Sequence, residues 1–327
     1  MKPIVRAALL CVSLFGLGAV SSARAADENA PPTAAGGGAS KDLVLKGDAR
    51  CTRCHDQDDN PQLLAIGKTK HGTRADARTP TCTSCHGESD AHVNNPAGLS
   101  TRPKPDRTFT KNSTTPIEAR NDACLACHQG SMRTLWAGST HQARDLACTT
   151  CHRIHSEVDP VRVKVTQPDV CFTCHKEQRA MINRPSRHPI VEGKVTCSDC
   201  HNPHGSAGPK LLARDSVNQT CYTCHAEKRG PFLWEHMPVT DDCTNCHNPH
   251  GSTVDNLLKV RMPFLCQECH EPTSHRGNMP GFVNPNKFDN QPQSLGITEG
   301  RACTNCHLNI HGGNSPTNNA AARSFRR

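Results

Sequence analysis

Apolar residues are distributed very unevenly along this chain. Its one long apolar run covers residues 7–20, preceded by Lys2 and Arg6 and followed by the small residues of Ala23-Arg24-Ala25. This order is typical of a secretory signal peptide, and the run is too short and too poorly flanked for a transmembrane helix. We therefore expect residues 1–25 to be removed on export.

The rest of the chain predicts little regular structure. Closely spaced Cys-x-x-Cys-His sequences leave room only for short helices, and Asn-Pro-His-Gly at residues 202–205 and 248–251 predicts turns that end them. Residues 26–47 and 312–327 predict a flexible leader and a flexible tail. Residues 93–123 and 276–302, rich in Pro, Asn, Thr and Gly, predict surface loops. The expected fold is mostly irregular, with short α-helices and few or no strands.

A conventional core of side chains is not predicted. Aromatic residues make up 3% of the 327 residues and hydrophobic residues 35%, a share that counts all 21 cysteines. Such a chain is short of the Phe, Trp, Ile and Leu that fill most cores. Something other than side chains must supply buried apolar mass.

Ten copies of Cys-x-x-Cys-His, numbered motifs 1 to 10 in chain order, provide the candidate. In such a motif the two thiols add to the vinyl groups of a haem, and the adjacent imidazole takes an axial position on the iron. We therefore predict ten covalently bound c-type haems, haem 1 to haem 10, whose macrocycles form the core. The attachment cysteines are Cys51, Cys54, Cys82, Cys85, Cys124, Cys127, Cys148, Cys151, Cys171, Cys174, Cys197, Cys200, Cys221, Cys224, Cys243, Cys246, Cys266, Cys269, Cys303 and Cys306, and the motif histidines are His55, His86, His128, His152, His175, His201, His225, His247, His270 and His307.

Other uses of Cys-x-x-Cys explain the pattern less well. Zinc sites, redox dithiols and short disulfides also employ it, but none requires histidine at the next position. The one cysteine outside the motifs, Cys11, lies in the signal peptide. Export also fits, because c-type haem is attached outside the cytoplasmic membrane.

The positive net charge does not indicate a nucleic-acid partner. The charge of +8 falls to +5 without Lys2, Arg6 and Arg24 of the signal peptide. Ten haems would add about twenty propionate charges against roughly ten ferric centres. The basic side chains are therefore expected to bind propionates.

The motifs form a repeat array. From motif 3 to motif 9 the first cysteines follow at steps of 24, 23, 26, 24, 22 and 23 residues. Taken in pairs they define five modules, at about residues 48–123, 124–170, 171–220, 221–265 and 266–311, within a decahaem domain of residues 48–311. Each module has two further histidines, one between its motifs and one after the second; these are His71, His141, His188, His236 and His275, and His92, His155, His204, His250 and His311. We predict an elongated array of five two-haem modules.

The second axial ligand decides between an electron carrier and an enzyme. An open iron can bind and transform small molecules, whereas two protein ligands leave only electron exchange. Ten free histidines for ten haems predict bis-histidine ligation throughout. Surface or propionate-binding roles stay open for His71, His92, His275 and His311, and the methionines that could substitute, Met132, Met181, Met237, Met262 and Met279, have no repeated placement.

The offset of three residues constrains the ligand pairs. A histidine three residues past the motif histidine lies only about 4.5 Å further along a helix, on the same side of the macrocycle. It cannot reach the opposite face of its own iron. We therefore predict that His155, His204 and His250 serve neighbouring haems.

The chain resembles a known family of cytochromes. The ten motifs, Cys-Ser-Asp-Cys-His-Asn-Pro-His-Gly at 197–205, and Cys-Tyr-Thr-Cys-His-Ala-Glu-Lys-Arg-Gly-Pro with Leu-Trp-Glu-His at 221–236 resemble the periplasmic decahaem cytochromes of porin–cytochrome conduits, the MtrA, MtoA and PioA (DmsE-type) family. The resemblance covers about residues 48–312. It implies a chain of haems inside an outer-membrane β-barrel porin, which links periplasmic or inner-membrane cytochromes to extracellular donors or acceptors through Fe(II) oxidation or Fe(III) reduction. An extracellular multihaem cytochrome is a further partner that such a conduit allows.

Two alternatives remain. A soluble periplasmic shuttle or electron store would need no porin. A multihaem oxyanion reductase would need an open haem, yet no motif replaces its histidine with the lysine found in nitrite reductases.

A ball of about 300 residues, with a radius of gyration near 19 Å, would barely span a bilayer of roughly 40–45 Å, whereas a linear array would exceed it. The direction of electron flow stays open.

Overall fold

The computed structural model describes residues 48–72, 78–270, 302–316 and 325. All of them belong to one unit, Asp42–Arg327. The predicted signal peptide and leader, residue His275 and nearly all of the predicted loop 276–302 lie outside the described residues.

The helices are short because they begin or end at the motifs. In motifs 2, 4 and 6 an α-helix begins at the first cysteine and ends at the second cysteine or the motif histidine, whereas in motifs 1, 3, 5, 7 and 9 an α-helix ends within the motif. Thr81 caps the helix of motif 2 through a reciprocal pair of hydrogen bonds with Ser84, and Thr196 does the same for motif 6 with Asp199. The α-helices of the described part are α1 Ala49–Thr52, α2 Pro61–Leu64, α3 Cys82–His86, α4 Asp90–Asn94, α5 Ile117–Leu125, α6 Cys148–Cys151, α7 Gln167–Phe172, α8 Lys176–Met181, α9 Cys197–Cys200, α10 Val217–Cys221, α11 Met237–Asp241 and α12 Phe264–Gln267.

Single turns of 3-10 helix lie in many of the connections between these helices and, at Cys243–Asn245 and Cys303–Asn305, in motifs 8 and 10 themselves. They lie at Ala65–Lys68, Ser131–Arg133, Gln142–Arg144, Pro160–Arg162, Pro209–Leu211, Ala226–Lys228, Cys243–Asn245, Asp255–Leu257 and Cys303–Asn305. Within the described residues, pairing between extended segments is limited to isolated bridges, such as His201 with Leu212 and His247 with Leu258. The predicted class, short helices with few or no strands, is confirmed. The predicted loop 93–123 differs in detail, because its last residues begin α5, which at nine residues is the longest helix described.

The polypeptide supplies almost no core of its own. Buried hydrophobic side chains within the described ranges are limited to Ala147, Phe172, Ile182, Ile190 and Leu258. Three of them, Phe172, Ile182 and Ile190, pack together with Val195 in module 3. The shortage read from composition is therefore present in the fold.

Buried polar side chains hold the two motifs of a module together. In module 2 the amide of Cys148 donates to Oδ1 of Asn121 at 2.8 Å, and in module 4 the amide of Cys243 donates to Oδ1 of Asn218 at 2.7 Å. Asp48 accepts from the amide of Cys82 in module 1 at 2.6 Å. Asn121, Asn218 and Asp48 each stand three residues before the first cysteine of their module. One side chain thus fixes the start of the second motif against the first.

Tight turns join successive modules. Gly205 has φ +115° and Gly251 has φ +138°, and a Cβ at these positions would overlap the carbonyl oxygens of Leu135 and Met181 respectively. Only glycine permits both the backbone angle and the close approach. Each turn therefore rests directly on the backbone of the preceding module.

The first residues of the predicted flexible tail are bonded in place. Trp234 forms an antiparallel bridge with Gly313, its indole nitrogen donates to the carbonyl of Ser315 at 2.9 Å, and the Leu233 amide donates to Oδ1 of Asn314 at 2.9 Å. Residues 313–315 are therefore part of the folded unit, contrary to a flexible tail that begins at residue 312.

Candidate haem-binding sites

Histidine rings meet in pairs throughout the described residues. In nine pairs, a motif histidine and a free histidine have ring centres 5.8 to 6.4 Å apart. The pairs are His55 with His92, His86 with His155, His128 with His71, His152 with His204, His175 with His141, His201 with His250, His225 with His188, His247 with His311, and His270 with His236.

This separation fits two imidazoles on one iron. Two metal–imidazole bonds of about 2.0–2.1 Å, plus the distance from each ligating nitrogen to the centre of its ring, place the ring centres of a bis-histidine site about 6.3 Å apart. Direct stacking of the two rings would bring them much closer. The gap between the rings therefore matches the space that a metal and the plane of a macrocycle require.

Hydrogen bonds at Nδ1 fix which ring nitrogen is available. Most of these bonds go to backbone carbonyls 2.7 to 3.0 Å away: His86 to Arg107, His92 to Pro103, His141 to Pro203, His155 to Leu63, His188 to Pro249, His201 to Lys210 and His247 to Asn256. A carbonyl can only accept, so Nδ1 carries the proton and Nε2 keeps a free lone pair. This is the state in which a histidine binds a metal through Nε2.

Burial also favours the neutral form of many of these rings. It is the main cause that lowers the histidine pKa below its ordinary value of about 6.5. The affected residues are His71, His86, His128, His204, His236, His250 and His311. A neutral ring is the form that can donate its lone pair.

The pairs follow one rule across the module boundaries. A free histidine that lies between two motifs faces the first motif of the next module, as His188 of module 3 faces His225 of module 4. A free histidine that follows a second motif faces the second motif of the preceding module, as His250 of module 4 faces His201 of module 3. Neighbouring modules thus exchange one histidine in each direction.

A hydrogen bond ties the two exchanged histidines of a boundary together. At the boundary between modules 2 and 3, His141 donates from Nδ1 to the carbonyl of Pro203, the residue directly before His204. At the next boundary His188 does the same with Pro249, directly before His250. The turn that contains the proline therefore positions two histidines: the one that follows it in the chain, and the one that donates to its carbonyl.

The predicted helical geometry behind the three-residue offset is wrong. The motif helices α6 and α9 end at the second cysteine, and His152 and His201 have extended backbones with ψ 135° and 144°. The chain then turns, and His155 and His204 face His86 and His152, both in preceding modules. Neither histidine shares a pair with the motif histidine three residues before it.

Thiols of successive motifs lie close enough to influence one another's pKa. Within modules, contact with the first cysteine of the second motif is the main cause that raises the pKa of Cys124, Cys171 and Cys221. Between modules, burial first and then a thiol of the following motif raise the pKa of Cys85, Cys151, Cys200 and Cys246. The neighbouring cysteines, in chain order, are Cys51 and Cys82, Cys85 and Cys124, Cys124 and Cys148, Cys151 and Cys174, Cys171 and Cys197, Cys200 and Cys221, Cys221 and Cys243, Cys246 and Cys269, and Cys266 and Cys303.

Two side-chain partners of the motif histidines were not found from the sequence. Nδ1 of His55 lies 2.7 Å from Oδ1 of Asn60, and Nδ1 of His152 lies 2.7 Å from Oδ2 of Asp159. Each partner lies a few residues past its motif, where polar residues are common in any loop. Trp136, which precedes a free histidine in the sequence, lies against the ring of His204 at 6.4 Å.

The chain is similar to multihaem cytochromes over most of its length. A family model described as a doubled CXXCH motif matches residues 188–230 and 236–275, and one described as cytochrome c-type protein NrfB-like matches residues 82–167. The multiheme cytochrome MtrA of Shewanella baltica is 43% identical over 276 residues, which cover 83% of this chain and 80% of that protein. The cytochrome c-type protein NrfB of Haemophilus influenzae is 32% identical over 165 residues, covering 44% of this chain and 70% of that protein. None of the helices described here is long and apolar enough to cross a membrane.

Proposed function

Since this chain belongs to the family of the multihaem cytochrome MtrA and is an electron carrier rather than an enzyme, we propose that it conducts electrons across the outer membrane inside a β-barrel porin. It would link periplasmic or inner-membrane cytochromes to donors or acceptors outside the cell, through Fe(II) oxidation or reduction of Fe(III) and other metals. The proposed location is the periplasm, in association with the outer membrane through the porin.

Each cysteine and histidine of the ten motifs has a role in this proposal. The twenty motif cysteines hold ten haems covalently, the motif histidines are the first axial ligands, and the free histidines are the second. When bound in this way, a haem supplies a one-electron Fe(III)/Fe(II) couple and no open position for a substrate. The nine ring pairs support nine of these ligand sets. The tenth, His307 with His275, stays a prediction from the sequence, because His275 lies outside the described residues.

The eight histidine pairs that join successive modules, together with the series of neighbouring cysteines, carry the conduit proposal. A motif cysteine marks the point at which the edge of a macrocycle is attached. The series runs from Cys51 in motif 1 to Cys303 in motif 10 and omits no motif. Successive attachment points are therefore adjacent along the whole domain, which favours transfer from one end to the other over ten separate redox sites.

The porin is proposed from the family resemblance and from physical necessity. A chain of haems that spans a membrane without an apolar surface of its own must be shielded from lipid. A closed barrel would provide that shield. Periplasmic or inner-membrane cytochromes would dock at one end, and an extracellular multihaem cytochrome is a further partner at the other.

The test begins with purification of the complex from outer membranes. We expect the chain to co-purify with a large β-barrel protein; recovery of the decahaem protein free of any barrel would favour the soluble shuttle or store. The complex is then placed in liposomes that contain a reducible dye or reduced carrier. External Fe(II) should reduce the haems, or external Fe(III) should oxidise them.

A matched variant separates conduction from assembly. Replacing Cys197 and Cys200 by alanine removes haem 6 from the middle of the series and leaves both ends intact. We expect this variant to bind the barrel and to lose transmembrane electron transfer. Unchanged transfer by the variant would contradict a single series of carriers.

A further inference from the structure

The histidine of motif 4 has a carboxylate within hydrogen-bond distance of its Nδ1 atom. Oδ2 of Asp159 lies 2.7 Å from Nδ1 of His152. Among the motif histidines whose Nδ1 bond is described, the other partners are uncharged: the Asn60 amide oxygen for His55, and backbone carbonyls for His86, His201 and His247. In that group His152 is the one with a carboxylate partner; outside it, Nδ1 of His225 in motif 7 lies 3.9 Å from Oε1 of the exposed Glu227, which is beyond hydrogen-bond distance.

The repeats show that this carboxylate is a local substitution in a shared framework. In modules 2, 3 and 4 a turn of 3-10 helix begins eight residues after the second motif histidine, at Pro160, Pro209 and Asp255. The residue before each turn is Asp159, Gly208 or Val254. Neither Gly208 nor Val254 has a side chain that can accept a hydrogen bond.

In modules 3 and 4 a backbone carbonyl accepts the hydrogen bond from Nδ1 of the second motif histidine instead. Lys210 and Asn256, the second residues of their turns, have φ +52° and φ +57°, and their carbonyls accept from His201 and His247. The turn at Pro160–Arg162 contains no residue with positive φ. Asp159 therefore replaces the carbonyl that this left-handed backbone provides elsewhere.

Asp159 is mostly buried, and its carboxylate contacts His152. The Asp159 side chain is 16% exposed and that of His152 is 29% exposed. Oδ1 of Asp159 accepts a hydrogen bond from the backbone amide of Arg153 at 3.2 Å. Within the part of the chain that the structure describes, no lysine or arginine forms an ion pair with Asp159.

We propose that Asp159 lowers the reduction potential of haem 4 below that of haems 6 and 8. A carboxylate that accepts from Nδ1 makes the imidazole more electron-rich and a stronger ligand. A more basic axial ligand and a nearby negative charge both stabilise the ferric state over the ferrous state. The reduction adds one electron to the iron, and the proton stays on Nδ1. Haem 4 would then be a step of low potential between modules 2 and 3.

This inference rests on the proposed function only in that His152 must ligate haem 4. It is tested in the full-length holoprotein with Asp159→Asn, which keeps an acceptor and removes the charge. Potentiometric titration should show about one tenth of the haem absorbance moving to higher potential. The electron paramagnetic resonance spectrum of the ferric protein should show one low-spin component shifting and no high-spin signal.

Two controls assign the effect. Glu157→Gln removes the same charge from a side chain that is 65% exposed and contacts Lys68, so it should leave the potentials nearly unchanged. In a background with Cys148→Ala and Cys151→Ala, which lacks haem 4, Asp159→Asn should move no component. A shift equal to that of Glu157→Gln, or one that survives the loss of haem 4, overturns the inference.

A second variant decides the matter if Asp159→Asn loses haem 4. Val254→Asp places a carboxylate at the equivalent position beside motif 8, and it should move one component to lower potential. Unchanged potentials in a fully loaded Val254→Asp protein would then count against the inference. Ten low-spin haems in the parent protein would leave the ligand assignment of the proposed function intact in either case.

Discussion

Replacement of His250 by alanine is the sharpest test of the exchange of ligands between modules. The ring of His250 lies 6.1 Å from that of His201 in motif 6, while His247, three residues before it, lies 6.2 Å from His311. The variant should therefore open the iron of haem 6, whose attachment cysteines lie 50 and 53 residues earlier in the chain, and leave haem 8 closed. Proximity in sequence suggests the opposite.

The size of the effect follows from the count of ligands. The ten attachment motifs are untouched, so the protein should still carry ten haems. Alanine cannot bridge the space that the His250 ring fills, because a metal–imidazole bond is only about 2.0–2.1 Å long. One iron in ten should lose a strong axial ligand and become high-spin in the ferric state. The other nine should remain low-spin.

The assay combines spin state with ligand binding. Electron paramagnetic resonance of the oxidised protein should show a high-spin signal equal to about one tenth of the iron. The reduced protein should bind about one carbon monoxide per chain, since an open ferrous haem accepts such a ligand. The parent protein should show neither change, and mass spectrometry of both proteins should confirm ten haems.

Removal of single haems identifies the open iron. With Cys197→Ala and Cys200→Ala added, haem 6 is absent and the high-spin signal should disappear. With Cys243→Ala and Cys246→Ala added instead, haem 8 is absent and the signal should persist. The reverse result would refute the pairing of His250 with His201.

Three further predictions concern the connections between motifs and modules. Gly205→Ala should destabilise the protein by at least about 2 kcal/mol, because a side chain meets both a left-handed backbone and a neighbouring carbonyl; thermal unfolding followed by haem absorbance measures this, and Gly130→Ala, where nothing lies within 4 Å, should have little effect. Asn218→Ala removes a buried side chain that accepts from one amide and donates to two carbonyls, and it should cost about 1–3 kcal/mol; the exposed Asn183, which bonds within its own turn, gives the matched control, and equal losses would contradict the reasoning. Deletion of module 3, residues 171–220, should leave an eight-haem protein in which all irons are low-spin, because its two neighbours can exchange ligands with each other by the same rule; persistent high-spin haem would show that the boundaries are not interchangeable.

The sequence predicts the chemistry of the sites but not the pairing of their histidines. The Cys-x-x-Cys-His pattern and the number of histidines predicted the haems and their ligand types, and composition predicted the missing side-chain core. The partner of His201 could not be predicted, because His250 reaches it through a turn whose position depends on Gly251 and on the backbone of Met181. Spacing along the chain carries no information about that contact.

The offset of three residues shows that the predicted local structure was wrong, although the ring pairs agree with ligation of neighbouring haems. The prediction for His204 assumed that the motif helix continues to it, which would keep both histidines on one side of the macrocycle. Instead the helix ends at Cys200 and His201 is extended. The helix must stop there because Asn202 and Pro203 turn the chain toward module 2, where the Asn202 side chain donates to the carbonyl of Met132. The contact with another module, rather than helical geometry, separates the two ligands.

The exchange of histidines also determines how the array can end. On the proposed ligation every internal boundary gives one ligand in each direction, so a module at the start of the array has a haem that no preceding module can serve. Module 1 supplies that ligand itself, since His92 faces His55 of motif 1 in the same module. His92 stands six residues after His86, in place of the offset of three used by His155, His204 and His250. Among the histidines that follow a second motif, His92 is the one that faces a motif histidine of its own module, and it has the longest spacing. The irregular first module is therefore the form that a terminal unit must take, and the same rule assigns His275 to haem 10 at the other end as a prediction.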